Sequence, residues 1–184
     1  YIARGVRNSV GFDFHPMSQK LYFADNGRDW LGDDSPSCEL NRVDKEGSFY
    51  GFPYKHATNI VDPEFGDIDS GFQFIDPILE LGAHVAPTGL TFYEGDMFPE
   101  FKDNIFITLH GSWNRSSKVG YKVIRVILDD KGNVTKTHDF ISGWLSNDEV
   151  SGRPAAPFIM SDGSILISDD KANVIYRVTS QRFN

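Results

Sequence analysis

The stretch NIFITLHGSWNRSSKVGYKVIRVIL, residues 104–128, decides the fold. It opens on a short apolar run, NIFITL, of the kind that fills a buried strand. A polar loop follows, carrying His110, Trp113, Asn114 and Arg115. The stretch leaves through YKVIRVIL, where apolar and polar residues alternate as in a half-buried strand. Upstream, APTGLTFY (86–93) and the turn-rich EGDMFPEFKD (94–103) lead into it. The result is a unit of three runs separated by turns.

That unit occurs three times. The first copy is RNSVGFDF (7–14), KLYFADNG (20–27) and CELNRVDKEG (38–47). The third is RPAAPFIM (153–160), SILISDD (164–170) and NVIYRVT (173–179). Each third run carries an Arg-Val step: Arg42-Val43, Arg125-Val126 and Arg177-Val178. A fourth strand is expected at VTKTHDFIS (134–142) after the second unit, and near GFQFIDPILEL (71–81) after the first. Recurring antiparallel strands of this length are blades, and propellers close with about four to eight of them. The chain is therefore expected to be all-β and to form about three blades, approximately 7–81, 82–145 and 150–180, with the remaining blades upstream or on another chain.

Composition agrees and narrows the functions. Hydrophobic content of 40% and aromatic content of 14% over 184 residues describe a folded domain with a core. A net charge of −8 argues against nucleic acid as the main partner. Cys38 is the only cysteine, which excludes an internal disulfide and a thiolate cluster and reads as a small buried residue. No apolar run is long enough to span a bilayer. The chain opens into strand-like sequence without an initiator Met, as a processed or truncated chain would.

In antiparallel blades, the start of the first strand and the end of the second lie at one end. This gathers Arg7, Asn8, Asn26, Gly27 and Arg28 with His84, His110, Trp113, Asn114 and Arg115, and with Arg153, Asp169, Asp170 and Lys171. Aligning Phe12 with Phe158 sets Arg7 opposite Arg153. Convergent arginines suit a carboxylate ligand, because the guanidinium fork makes two parallel bonds. Trp113 beside them is placed to stack on a flat ring. The competing expectation is that these arginines pair with Asp25, Asp29, Asp33, Asp34 and Asp169. The loop 25–41 also offers Asp29, Asp33, Asp34, Glu39 and carbonyls around Gly27, which are hard oxygen donors suited to Ca²⁺, although its spacing is not an EF-hand. His15, His56 and His138 fall in turn or outer-strand contexts and receive no role. Residues 49–67 read as an excursion between blades, lying over the face or at a subunit contact.

At these residues the chain resembles the soluble quinoprotein glucose/sorbosone dehydrogenase family, as the C-terminal half of a six-bladed propeller. The resemblance is carried, in order, by ARGVRNSVGFDF, LYFADNGRD, CELNRV, GSFYGFP, VAPTGLTFY, HGSWNR with GYKVIRV, and GRPAAPFIMSDGSILISDD. It implies pyrroloquinoline quinone (PQQ), a flat tricarboxylate, held with Ca²⁺ over the central axis. Arg7, Asn8 and Arg153 would then bind the cofactor, together with a residue among His110, Asn114 and Arg115. Backbone carbonyls at Gly27 and Arg28 would hold the metal. The implied reaction is oxidation of an aldose at its anomeric carbon, with an external electron acceptor and a periplasmic or secreted location. The family's general base is a His outside this chain, so the catalytic residue here stays unknown. A non-catalytic binding propeller and a Ca²⁺-dependent lactonase-type hydrolase are the alternative readings.

Overall fold

Each apolar run of the repeat becomes a strand. In the computed structural model, which describes residues 1–180, the first unit forms β1 (Ser9–Phe14), β2 (Leu21–Asp25), β3 (Ser37–Arg42) and β4 (Leu79–Ala83), hydrogen-bonded in that order. The second forms β5 (Pro87–Phe92), β6 (Ile105–Leu109), β7 (Lys122–Leu128) and β8 (Val134–Ile141). The third forms β9 (Pro154–Ile159), β10 (Ile165–Asp169) and β11 (Val174–Val178). All pairings within these sheets are antiparallel. They are three blades of a β-propeller, as the repeat predicts.

The second strand of each blade is central and packs on both faces. In β6 every residue of IFITL is buried, so it cannot alternate, whereas the outer β8 is mostly wet. Tyr22, Leu40, Phe92, Ile105, Ile107 and Val126 form one core between the first two blades. Tyr93, Phe106, Val123, Ile165 and Ile167, with Trp144, form another between the second and third. Burial of each such side chain contributes about 1.5–3 kcal/mol, so these interfaces set the order of the blades.

The first strands line the axis, and glycine lets them touch. A Cβ added at Gly11 would lie 2.8 Å from the backbone carbon of Gly89. One added at Gly89 would lie 2.6 Å from Ala156 Cα and 2.5 Å from Pro157 Cδ. Three inner strands thus meet backbone to backbone, which carries residues at their starts onto one rim.

The structure moves two features of the repeat. The fourth strand of the first blade is Leu79–Ala83 and not a strand from residue 71. Ile75 instead donates its N–H to Phe49 O, and Pro77, which has no N–H, separates that contact from β4. Register also shifts the alignment of the first and third blades by one residue. Arg42 pairs with Tyr22 and Arg177 with Leu166, so Phe23, the partner of Phe12, matches Ile167, the partner of Pro157. Phe12 therefore corresponds to Pro157, not Phe158, and Arg153 corresponds to Asn8. Matching phenylalanines ignored the pleat, in which a slip of one residue changes the face. The recurring arginines are more than a wet edge. Arg42 donates to Gly132 O at 2.6 Å across the blade interface, and Arg125 lies 4.6 Å from the Phe101 ring centroid.

Candidate functional site

Two buried carboxylates build the rim. Asp25 closes β2 and accepts the backbone N–H of Arg7 at 2.9 Å and of Asn8 at 2.7 Å. Burial pushes its carboxyl up, against those bonds. Asp169 closes β10 and accepts N–H groups from Arg153 and Ala172, each at 2.8 Å, and the Tyr176 hydroxyl at 3.2 Å. Burial alone would raise Asp169, but these bonds hold it below the usual carboxylate range. Arg7, Asn8 and Arg153 therefore sit at the same end of equivalent strands.

The two arginine side chains are held along the rim. Arg7 Nη2 pairs with Asp29 at 2.9 Å, and Nη1 donates to Asn26 O at 3.3 Å. Arg153 Nε donates to His110 O at 3.1 Å and Nη2 to Gly111 O at 2.6 Å, with the guanidinium 5.6 Å from the Tyr121 ring centroid. His110 Nδ1 lies 3.2 Å from Pro154 O. Arg115 reaches into the first blade's acidic loop, bonding Asp33 O and, at 2.9 Å, Asp34. Ser116 N–H donates to Asp33 Oδ1 at 3.1 Å beside it. The expected pairing of arginines with local acids thus holds for Arg7 and Arg115, while Arg153 binds carbonyls.

Arg28 departs from the predicted cluster. Its guanidinium bonds Asp62 and Glu64 of the excursion, so it does not join the other arginines on the rim. Lys171 is exposed and makes no ion pair among the described residues. Four arginines and a lysine facing one axis reduce to Arg7, Arg115 and Arg153. Of these, Arg7 lines a cavity of about 120 Å³, walled also by Asn8, Gly27, Asp29, His84 and Trp113. A larger cavity, about 780 Å³, opens at the other end of the blades between turn residues such as Glu94 and Asp162, away from this chemistry.

Two observations bear on an acidic cofactor and its metal. Asn114 Nδ2 and Arg115 Nε are buried donors without a partner among the described residues. Buried donors are nearly always satisfied, so two adjacent orphans fit a ligand rich in acceptors. At Gly27, an added Cβ would lie 2.9 Å from Pro36 O and 3.0 Å from Ser37 O. That crowding of carbonyl oxygens fits a hard cation. The carboxylates of the acidic loop are not gathered at one point. Asp29, Asp33 and Asp34 are engaged as above, and no group of three or more His, Cys, Asp or Glu among the described residues is arranged for a metal.

One polar cluster differs from the sequence reading, in which Glu39 is an oxygen donor of the acidic loop. Glu39 is buried, accepting Ala57 N–H at 2.6 Å and Asn41 Nδ2 at 2.9 Å. Burial pushes its carboxyl up to about 7. His56, read as a residue without a role, is buried with its Nε2 2.7 Å from Asp62 Oδ2. Burial would raise Asp62, but Arg28, His56 and the backbone N–H of Glu64 and Phe65 hold it far below the usual range. In CELNR, Glu39 and Asn41 alternate with Cys38 and Leu40 and so look solvent-facing. The only signal was the excursion itself, which covers that face.

Residues 1–181 match the family described as TrAA12-like. The chain belongs to the TrAA12-like family. An uncharacterized protein of Borreliella burgdorferi is 46% identical to this family member over 181 residues, covering 96% of this chain and 48% of that protein. The iodide structure of Trichoderma reesei carbohydrate-active enzyme family AA12 superposes with a TM-score of 0.77 at 22% identity, covering 96% of this chain and 53% of that one. Its calcium structure gives the same TM-score of 0.77. The PQQ domain of pyranose dehydrogenase from Coprinopsis cinerea, in holo form, superposes with a TM-score of 0.71 at 19% identity, covering 97% and 55%. These likenesses carry the fold. The TrAA12-like chain spans about half the length of the Borreliella relative.

Proposed function

We propose that this chain is the C-terminal half, 1–184, of a six-bladed quinoprotein sugar dehydrogenase, with units over about 7–81, 82–145 and 150–180. The whole protein oxidises an aldose or related sugar at its anomeric carbon, passes electrons to an external acceptor, and works in the periplasm or outside the cell. The observation that carries this reading is the pair of orphaned buried donors, Asn114 Nδ2 and Arg115 Nε, on a rim that also holds Arg7 and Arg153.

Each residue has a role that follows from its chemistry. Arg7 and Asn8 bind carboxylates of pyrroloquinoline quinone at the cavity, and Arg153 contributes the donors left free by His110 O and Gly111 O. Asn114 and Arg115 donate their unpartnered N–H groups, and His110 stands beside them. Gly27 and Arg28 offer backbone carbonyls to Ca²⁺, for which the lack of a Cβ at Gly27 leaves room. The quinone would supply the two-electron oxidising capacity and Ca²⁺ a Lewis acid beside it, while the protein supplies binding and orientation. The general base is expected from the other half of the protein, and the catalytic residue in this chain is unknown.

The test is reconstitution of the full-length protein with pyrroloquinoline quinone and CaCl₂, followed by aldose-dependent dye reduction. Arg7→Ala is expected to weaken reconstitution about 10- to 100-fold, the worth of a charge-assisted bond of about 1.5–3 kcal/mol. Sugar binding without dye reduction would leave a non-catalytic binding propeller. Lactone hydrolysis with Ca²⁺ alone would leave a hydrolase.

A further inference from the structure

Two tryptophans stand exposed on this rim, and blade packing does not account for them. Trp30, in the loop after β2, is 76% exposed; Trp113, in the loop after β6, is 66% exposed. Their rings meet edge to face, with centroids 5.7 Å apart and planes at 85°. Trp30 holds a φ of 68°, in the left-handed region that a bulky side chain adopts only under constraint. The constraint is visible. Gly32 O lies 2.7 Å from His84 Nε2, and Arg115 and Ser116 bind Asp33 and Asp34. Loops from two blades are tied together just beyond the two indoles. Apolar rings held in water, at a backbone cost, mark a binding surface.

The geometry selects the occupant. The edge-to-face contact leaves no space for a ligand between the rings, so the pair presents indole faces set nearly at right angles. Trp113 also forms a wall of the cavity that holds Arg7, Asn8, Asp29 and His84. Apolar ring faces next to a few convergent polar groups suit a pyranose, whose C–H face lies on an indole while its hydroxyls take the polar side chains. A protein partner would need about 800 Å² on this side. Two indoles, at about 150–250 Å² each, fall well short. Of the other exposed rings, Phe12, Phe14 and Phe158 lie on strands, Phe72 stacks on Phe49, and Tyr1 lies by Gly47.

We propose that Trp30 and Trp113 form a platform for at least two consecutive pyranose rings, one on each indole, so that the sugar presented to this site is the end of an oligosaccharide. The choice of sugar as substrate class rests on the dehydrogenase reading above; binding to the platform itself needs no cofactor. The experiment is a titration of the full-length protein, free of quinone, with glucose, mannose and N-acetylglucosamine and with trisaccharides of each, followed by tryptophan fluorescence and calorimetry. At least one trisaccharide is expected to bind tenfold or more tightly than its monosaccharide. Trp30→Gly, which suits the positive φ, is expected to remove that difference, and Trp30→Tyr to keep most of it. Quinone reconstitution of Trp30→Gly is expected to equal that of the parent. The platform is overturned if no trisaccharide outbinds its monosaccharide, or if Trp30→Gly leaves the difference intact. Failure of the parent to take up quinone would strike the dehydrogenase reading and leave the saccharide titration to stand or fall alone.

Discussion

Arg153 occupies in its blade the place that Asn8 occupies two blades away. Each backbone N–H donates to the carboxylate that closes the neighbouring strand, Asn8 to Asp25 Oδ1 at 2.7 Å and Arg153 to Asp169 Oδ1 at 2.8 Å. The repeat thus fixes the backbone of the rim through a buried carboxylate and leaves the side chain free to vary. Asp169→Ala would strand the N–H groups of Arg153, Lys171 and Ala172. Each lost partner costs about 1–3 kcal/mol where burial keeps water out. The expected loss is on the order of 2–4 kcal/mol in urea unfolding, with weaker quinone uptake in the full-length protein. A midpoint unchanged in urea would mean that water replaces the carboxylate.

The axial strands make a second claim that a single methyl group tests. Gly89 would place a Cβ 2.5–2.6 Å from Pro157 and from the backbone of Ala156. Backbone cannot rotate away as a side chain tip can, so Gly89→Ala must push the second and third blades apart. Overpacking of this kind costs about 1–3 kcal/mol. Thermal unfolding of Gly89→Ala is expected to begin several degrees lower. An unshifted transition would show that the inner strands have slack.

The fold was legible in the chain because blades repeat and strands alternate; IFITL and KVIRVIL could hardly be anything else. Register was less legible. Phe12 and Phe158 look alike, but hydrogen bonding pairs Phe12 with Phe23 and Pro157 with Ile167. Identity of side chains does not report which face a residue takes, and pairing does. The rim residues Arg7, Asn8 and Arg153 were legible from strand ends alone. The pairing of Arg28 was not, since its partners Asp62 and Glu64 lie in the irregular excursion, where no period predicts position. The burial of Glu39 under that excursion was hidden for the same reason.

Glu39 gives the protein a pH dependence of known sign. Its folded carboxyl is raised to about 7 from 4.5, chiefly by burial. A raised acid favours folding while protonated, so its contribution is complete below about pH 4.5 and is lost as pH rises through about 7. The full shift corresponds to on the order of 3 kcal/mol. In chelator-containing buffer, stability measured by urea unfolding is expected to fall across that window, and Glu39→Gln to flatten the fall. A parent curve that stays level from pH 5 to 8 would mean that Glu39 is charged in the folded state.

Phe12 and Leu90 hold the same place in successive blades, opposite Phe23 and Ile107 respectively, as Phe14 and Phe92 do one pleat further on. Leu90 and Phe92 are 6% and 2% exposed because the first blade covers them. Phe12 and Phe14 are 62% and 52% exposed. The repeat places apolar rings where a preceding blade would bury them, and the relative twice as long has the residues to build one. Phe12→Ala in the full-length protein is therefore expected to behave as a core truncation, costing about 3–5 kcal/mol. A surface site would change stability by no more than about 0.5 kcal/mol. Urea unfolding of the full-length variant separates these two values cleanly, and the smaller one would mean that Phe12 stays in water and that no blade packs against this face.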